Sequence, residues 1–205
     1  MDHLTLLAYA EDELKRVITG LDKVEMDVVT NCPPWTVRRL ASHVLKNQLF
    51  WAGTVTGQKL MPLDESMAAV PYEDDLAPIA VEVTALALRL WRSDGVMTAQ
   101  HDTPFGVLPG AVVVDFAVID AAAHAWDLSA SLGRAIEFPP ESIRAMTDVV
   151  ALTCNDQAIE LGLIKPPTMP PVDATDSERL MAAAGRTITR DDKANVTMVS
   201  GHPPD

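Results

Sequence analysis

The chain has 205 residues, 48% hydrophobic and 22% charged, which suffices for one soluble domain with a sizeable core. Sixteen basic against 29 acidic residues give a formal net charge of -13, which argues against nucleic acid and anionic membrane as partners. No uncharged apolar run reaches the roughly 20 residues that span a bilayer, and Met1-Asp2-His3 lacks the features of a signal peptide, so a cytoplasmic location is expected.

In chain order, Leu4, Leu7, Leu14 and Ile18 recur at helical spacing and predict a helix over Asp2–Thr19, with Glu11 at the one skipped position of the stripe. Asn31-Cys32-Pro33-Pro34-Trp35-Thr36 reads as a helix entry, because prolines fix an extended approach. The helix that follows, Thr36–Thr56 with Gly57 as its cap, has a core face of Val37, Leu40, Val44, Trp51 and Val55. His43, Asn47, Phe50 and Thr54 form a mixed stripe at its edge. Met61–Pro78, proline-bearing and acidic, is expected to be a long surface loop. A third helix is predicted over Leu76–Arg92, a short hairpin over Thr98–Leu108, and a central helix over Ala111–Leu132. A fifth starts at Phe138-Pro139-Pro140-Glu141 and turns Ile143, Met146, Val150 and Cys154 inward. Lys165–Pro171 reads as extended. Thr175 and Glu178 make a capping box for a short helix over Ser177–Ala184, closed by Gly185. These elements predict an all-α, antiparallel four-helix bundle over residues 1–189, with a crossover hairpin and a small C-terminal helix. Residues 190–205 are expected to be a polar, frayed tail.

The chemistry centres on the central helix. Asp120 and His124 lie four apart and project from one face, and Asp127 follows three residues on. A carboxylate and an imidazole on an apolar helix need a partner, and a divalent metal supplies one; a hydrogen-bonded Asp–His pair without metal is the alternative. Asp127 is either a replacement ligand, the acceptor of the other imidazole N–H or a cap for a neighbouring element. His43 is either a further ligand or an edge imidazole bonded to Asn47 or to a backbone carbonyl. Glu11 is either a solvated edge residue or a polar group lining the same pocket. Cys32, beside a helix N-terminus, reads as a small buried residue or a stabilised thiolate. Its distance in sequence from Cys154 gives neither a disulfide framework nor a zinc-knuckle spacing. Trp35, Trp51 and Trp126 are expected in the core and pocket wall, and His3, His101 and His202 on the surface. Phosphate loops, nucleophile elbows and His-Glu-x-x-His patterns are absent from the sequence.

Three segments carry a resemblance. Cys32-Pro-Pro-Trp35-Thr36-Val37-Arg38-x-Leu40-x-x-His43, Asp120-x-x-x-His124-x-Trp126-Asp127-Leu128 and Asp176-Ser-Glu-Arg179-Leu180 through Gly185-Arg186 resemble, in order, segments of the actinobacterial DinB/YfiT-like superfamily. That group is related to the metal-binding N-terminal domain of mycothiol-dependent maleylpyruvate isomerase. The resemblance implies a DinB-like bundle with a divalent metal, usually zinc, held by three side chains. Carried over, these are His43, Asp120 and His124, with Asp120 standing where relatives often have Glu or His. It also implies activation of a low-molecular-weight thiol, mycothiol in the better-known members, toward a small-molecule substrate. The isomerase's further C-terminal domain has no counterpart beyond the short helix and tail, so its specific reaction is not implied.

The expected function is therefore a metal-dependent thiol transferase or isomerase in which Glu11 or Asp127 accepts a proton. Two histidines and a carboxylate also suit nickel or iron. The rival expectation is a non-catalytic bundle that binds metal or a small ligand, or forms a homodimer through a helix face.

Overall fold

Helix α1 (His3–Thr19) starts where the Asp2 carboxylate accepts the Thr5 amide at 3.0 Å, and it buries Leu6, Leu7, Leu14, Val17 and Ile18 together with Glu11. Helix α2 (Val37–Thr56) is capped by the Thr36 hydroxyl and ends on Gly57 at φ 68°, a left-handed turn that glycine makes without steric cost. A short helix α3 (Leu63–Ala68) precedes α4 (Leu76–Trp91). Strands β1 (Gln100–Thr103) and β2 (Gly106–Pro109) form an antiparallel hairpin that leads directly into α5 (Gly110–Ser131). Helix α6 (Pro140–Thr153), a one-turn α7 (Asp156–Glu160) and α8 (Asp176–Ala183) follow. The computed structural model describes residues 1–162 and 164–188.

Helix α1 packs on α4 and α5, and α2 packs on the same two, so the four long helices close a square with α1 diagonal to α2. Helix α6 covers α5 from outside, and α8 rests on α6. This is the helical bundle that the sequence predicts. Its centre is α5, on which Val113, Val114, Ala117, Val118, Ala121, Ala122, Ala125 and Leu128 all have 0% exposure. The small alanines let neighbouring helices approach closely, and the valines and leucine fill the gaps between them.

Two parts of the chain differ from expectation. The Met61–Pro78 stretch holds α3, and a further turn of helix, α7, follows α6 where none is predicted. His3, expected on the surface, is half exposed but places Nδ1 2.8 Å from the buried Asp115 carboxylate. His101 is half-buried and donates to the Val96 carbonyl at 2.8 Å. His202 and the predicted tail, 190–205, lie outside the described residues. Among the described residues, no helix is long and apolar enough to cross a membrane.

Candidate functional site

Helices α2 and α5 run antiparallel, and their facing side chains meet in layers one turn apart. His43 lies against His124 with ring centroids 5.4 Å apart, Asn47 donates to Asp120 at 2.8 Å, and Trp51 stacks on Phe116 at 5.4 Å. The numbers step by four on both helices, in opposite directions, so each layer lies about 6 Å from the next. A cavity of about 170 Å³ runs along these layers.

The polar layers hold three donor groups on one centre. His43 Nδ1 donates to the Ser66 carbonyl of α3 at 2.9 Å, which leaves Nε2 facing inward. His124 Nδ1 donates to Asp127 Oδ2 at 2.9 Å, and its Nε2 stands 3.7 Å from Asp120 Oδ1. The Asp120 carboxylate accepts from Asn47 through Oδ1 and from Gln48 through Oδ2, at 2.8 and 3.0 Å. His43, Asp120 and His124 each present one ligand atom within 4.8 Å of the others. Asn47 ties the group together: its amide also donates to His43 Nε2 at 3.1 Å, and its oxygen accepts the Ser66 hydroxyl.

Behind His124 sits a buried ion pair. The Asp127 carboxylate, 0% exposed, accepts from Arg186 Nη2 at 2.9 Å, Arg186 Nε at 3.3 Å and Asn31 Nδ2 at 3.0 Å. The Cys32 thiol reaches it at 3.4 Å. Arg186 is aimed by Gly185, whose φ of +83° turns the chain left-handed where a Cβ would stand 2.3 Å from the Lys165 carbonyl oxygen. Only glycine fits there. Arg186 Nη1 then donates to the Ala184 carbonyl at 2.8 Å.

This arrangement sets the charges. Burial opposes ionisation of Asp127, but the Arg186 charge and the bond to His124 hold its carboxyl well below the usual range. Burial likewise opposes charging His124, but the bonds to Asp127 and Cys32 and the charges of Asp120 and Asp127 push it up to about 10. His43 goes the other way, lowered by burial and then by the positive neighbour His124. A positive charge is therefore favoured between Asp120 and Asp127, and His43 offers it a neutral imidazole.

The residues singled out from sequence take three positions. His43, Asp120 and His124 converge on the cavity. Asp127 lies one layer behind His124 with both oxygens engaged, in the place of an acceptor for the other imidazole N–H. Glu11 is neither at a solvated edge nor on the cavity wall: it is fully buried, with both oxygens lacking a hydrogen-bond partner among the described residues. Neither carboxylate expected to accept a proton thus lines the cavity. Sequence reasoning named Asn47 as a partner of His43 but missed its bond to Asp120, and it missed the roles of Gln48 and Arg186. Asn47 stood in the right stripe, one turn after His43, which was the only local signal.

Burial, and then the charge of Asp120, raise the Glu11 carboxyl well above its ordinary value. A raised folded pKa means that stability is complete below the unfolded value near 4.5 and is lost as the pH rises from there through the folded value. Glu11→Gln, neutral at every pH, should therefore melt higher than wild type at pH 7–8, with the difference shrinking toward pH 4. Each pH unit inside the window is worth about 1.4 kcal/mol, or roughly 3–5 °C of melting temperature for a domain of this size. Parallel melting curves across that range would show Glu11 to be ionised in place.

Residues 7–129 match the family model described as the mycothiol maleylpyruvate isomerase N-terminal domain. Two curated proteins of Mycobacterium tuberculosis, from strains CDC 1551 and H37Rv and both named only as uncharacterized, are 26% identical over 144 residues. The match covers 69% of this chain and 73% of theirs. The fold is shared with the crystal structure of the mycothiol-dependent maleylpyruvate isomerase and with that of a histidine-to-alanine mutant of it. Both superpose with a TM-score of 0.61 at 17% identity, over 82% of this chain and 74% of the other.

Proposed function

The chain belongs to the family of the mycothiol maleylpyruvate isomerase N-terminal domain, and from that premise we propose that it is a divalent-metal-dependent enzyme acting with a low-molecular-weight thiol. Mycothiol is the thiol that the family name suggests, and the reaction is a transfer to, or isomerisation of, a small electrophilic molecule in the cytoplasm. The observation that carries this reading is the convergence of two imidazoles and a carboxylate within 4.8 Å, with both Nδ1 atoms already committed elsewhere.

The donor set fits a metal. His43 and His124 would hold it through Nε2 and Asp120 through one oxygen, a three-ligand arrangement that leaves a position open. Zinc suits it, as do nickel and iron. A divalent ion bound there lowers the pKa of a thiol or water at its open position, making the anion available near neutral pH. The chain's own residues do the rest. Ser66 fixes the His43 ring, and Asp127, itself fixed by Arg186, orients His124 and adds to its basicity. Gln48 steadies Asp120, and Asn47 must release its hold on His43 Nε2 before that lone pair can bind an ion.

A second reading has its own support. Asn47 bridges His43 to Asp120, and His124 bonds to Asp127, so each of the three groups has a hydrogen-bond partner without an ion, as in a non-catalytic binding bundle. Elemental analysis of protein stripped with a chelator and then reconstituted separates a metal centre from this ion-free cluster, because one equivalent of tightly held ion is expected only for the former. In the same preparation, chelation should leave the helical circular dichroism unchanged, since the bundle's apolar faces stabilise it without an ion. It should abolish thiol transfer to a reactive electrophile. Loss of helicity would make the ion structural.

A further inference from the structure

One layer beyond Asn47 and Asp120, the cavity changes character. Phe105, at the turn of the β1–β2 hairpin, lies nearly parallel to Phe116 of α5, with centroids 4.6 Å apart and planes at 14°. Trp51 of α2 stacks on Phe116 with its plane inclined by 21°, and Phe50 closes the edge of this group against Trp51. Phe105 and Phe116 are only half-buried, so the stack borders the cavity, with Ile119 on the wall between it and Asp120.

The cavity's size and charge narrow what can enter. Its volume of about 170 Å³ is close to the roughly 150 Å³ apolar cavity that accommodates a benzene ring. Among the described lining residues the sole Lys or Arg is Arg186, and its charge is matched by Asp127 at 2.9 Å. With a divalent ion on the two imidazoles and Asp120, the two carboxylates and one guanidinium leave a single positive charge, which one bound thiolate cancels. No positive charge then remains for an anionic co-substrate.

We infer that the second substrate is an uncharged molecule carrying a single aromatic ring, and that Trp51, Phe105 and Phe116 form the subsite that takes the ring. Near-parallel rings present flat faces, and one more ring extends such a stack at favourable offset geometry. This inference rests on the thiol-enzyme reading for the direction in which the molecule enters, with its reactive atom toward Asp120 and its ring one turn, about 6 Å, away. The ring subsite itself needs no ion.

The test titrates benzyl alcohol, benzoate and maleate into the full chain by calorimetry and ligand-observed NMR, in the zinc-loaded protein with 2-mercaptoethanol present to occupy the ion and in the chelator-treated protein. Benzyl alcohol should bind in both, with Kd on the order of 1 mM for so small a ligand. Benzoate and maleate should bind at least about tenfold more weakly. Phe105→Ala and Phe116→Ala should each weaken benzyl alcohol about five- to tenfold. Phe105 sits on a hairpin turn, so its replacement spares the bundle core. Maleate binding as tightly as benzyl alcohol, or Phe105→Ala and Phe116→Ala binding it as well as wild type, would overturn the inference. The two ideas fail separately. Ring binding without zinc retention refutes only the metal-dependent reading, and zinc retention without ring binding refutes only the aromatic subsite.

Discussion

Replacing His124 by alanine is expected to weaken divalent-metal binding by at least about 100-fold while leaving the bundle folded. In the proposed centre the imidazole would contribute Nε2, and its loss also disconnects Asp127, whose own kind of support is typically worth about 10- to 100-fold in affinity. Competition with a chromophoric chelator measures the change, and circular dichroism checks the fold. His43→Ala should match it. Asp120→Asn should fall in the same range, because a neutral amide replaces an anionic donor. Wild-type affinity in His124→Ala would remove the centre proposed from His43, Asp120 and His124.

The largest effect on stability is expected from Arg186→Met. The guanidinium is the main compensation for a carboxylate with no exposed surface, and stripping one partner from such a pair costs about 3–5 kcal/mol. For a chain of this size that lowers the melting temperature by roughly 6–20 °C. Arg186→Met with Asp127→Asn should recover most of the loss, since the amide carries no charge and its oxygen still accepts the His124 N–H. A double variant no more stable than the single would mean that Arg186 acts by packing alone. The sign with pH is opposite to that of Glu11. The folded pKa of Asp127 is depressed, so its stabilisation is complete above the unfolded value near 3.8 and is lost as the pH falls from there through the folded value.

Where the sequence carries its own stop and start signals, the fold could be read from it. Thr175 caps α8 through the expected capping box and Gly57 ends α2 as expected, whereas Asp2 and Thr36, read as the first residues of their helices, are the caps that precede them. Helix α3 could not be read. Six residues do not make a stable helix alone, and this one is held from outside, by Arg39 on the Ala68 carbonyl and His43 on the Ser66 carbonyl. Helix α5 was recognisable as helical from its alanines, but it is buried on nearly every side, so no apolar stripe marks which face meets which neighbour. The three converging residues were visible as a spacing on two helices. The partner of Asp127 was not, because Arg186 lies 59 residues away and is brought in by a glycine turn.

That distance bears on where the molecule may be divided. The family match ends at residue 129, yet the counter-ion of Asp127 and part of the cavity wall, Cys154 and Ile164, come from further along the chain. A gene fragment trimmed to the matched boundary would encode all three converging donors but not Arg186, the main counter-charge of the carboxylate behind them. Excised or grafted into a chimera, it would carry an exposed seam along α5 where α6 had lain. Recombination breakpoints that keep residues 7–188 together are the ones that preserve this centre as a working unit.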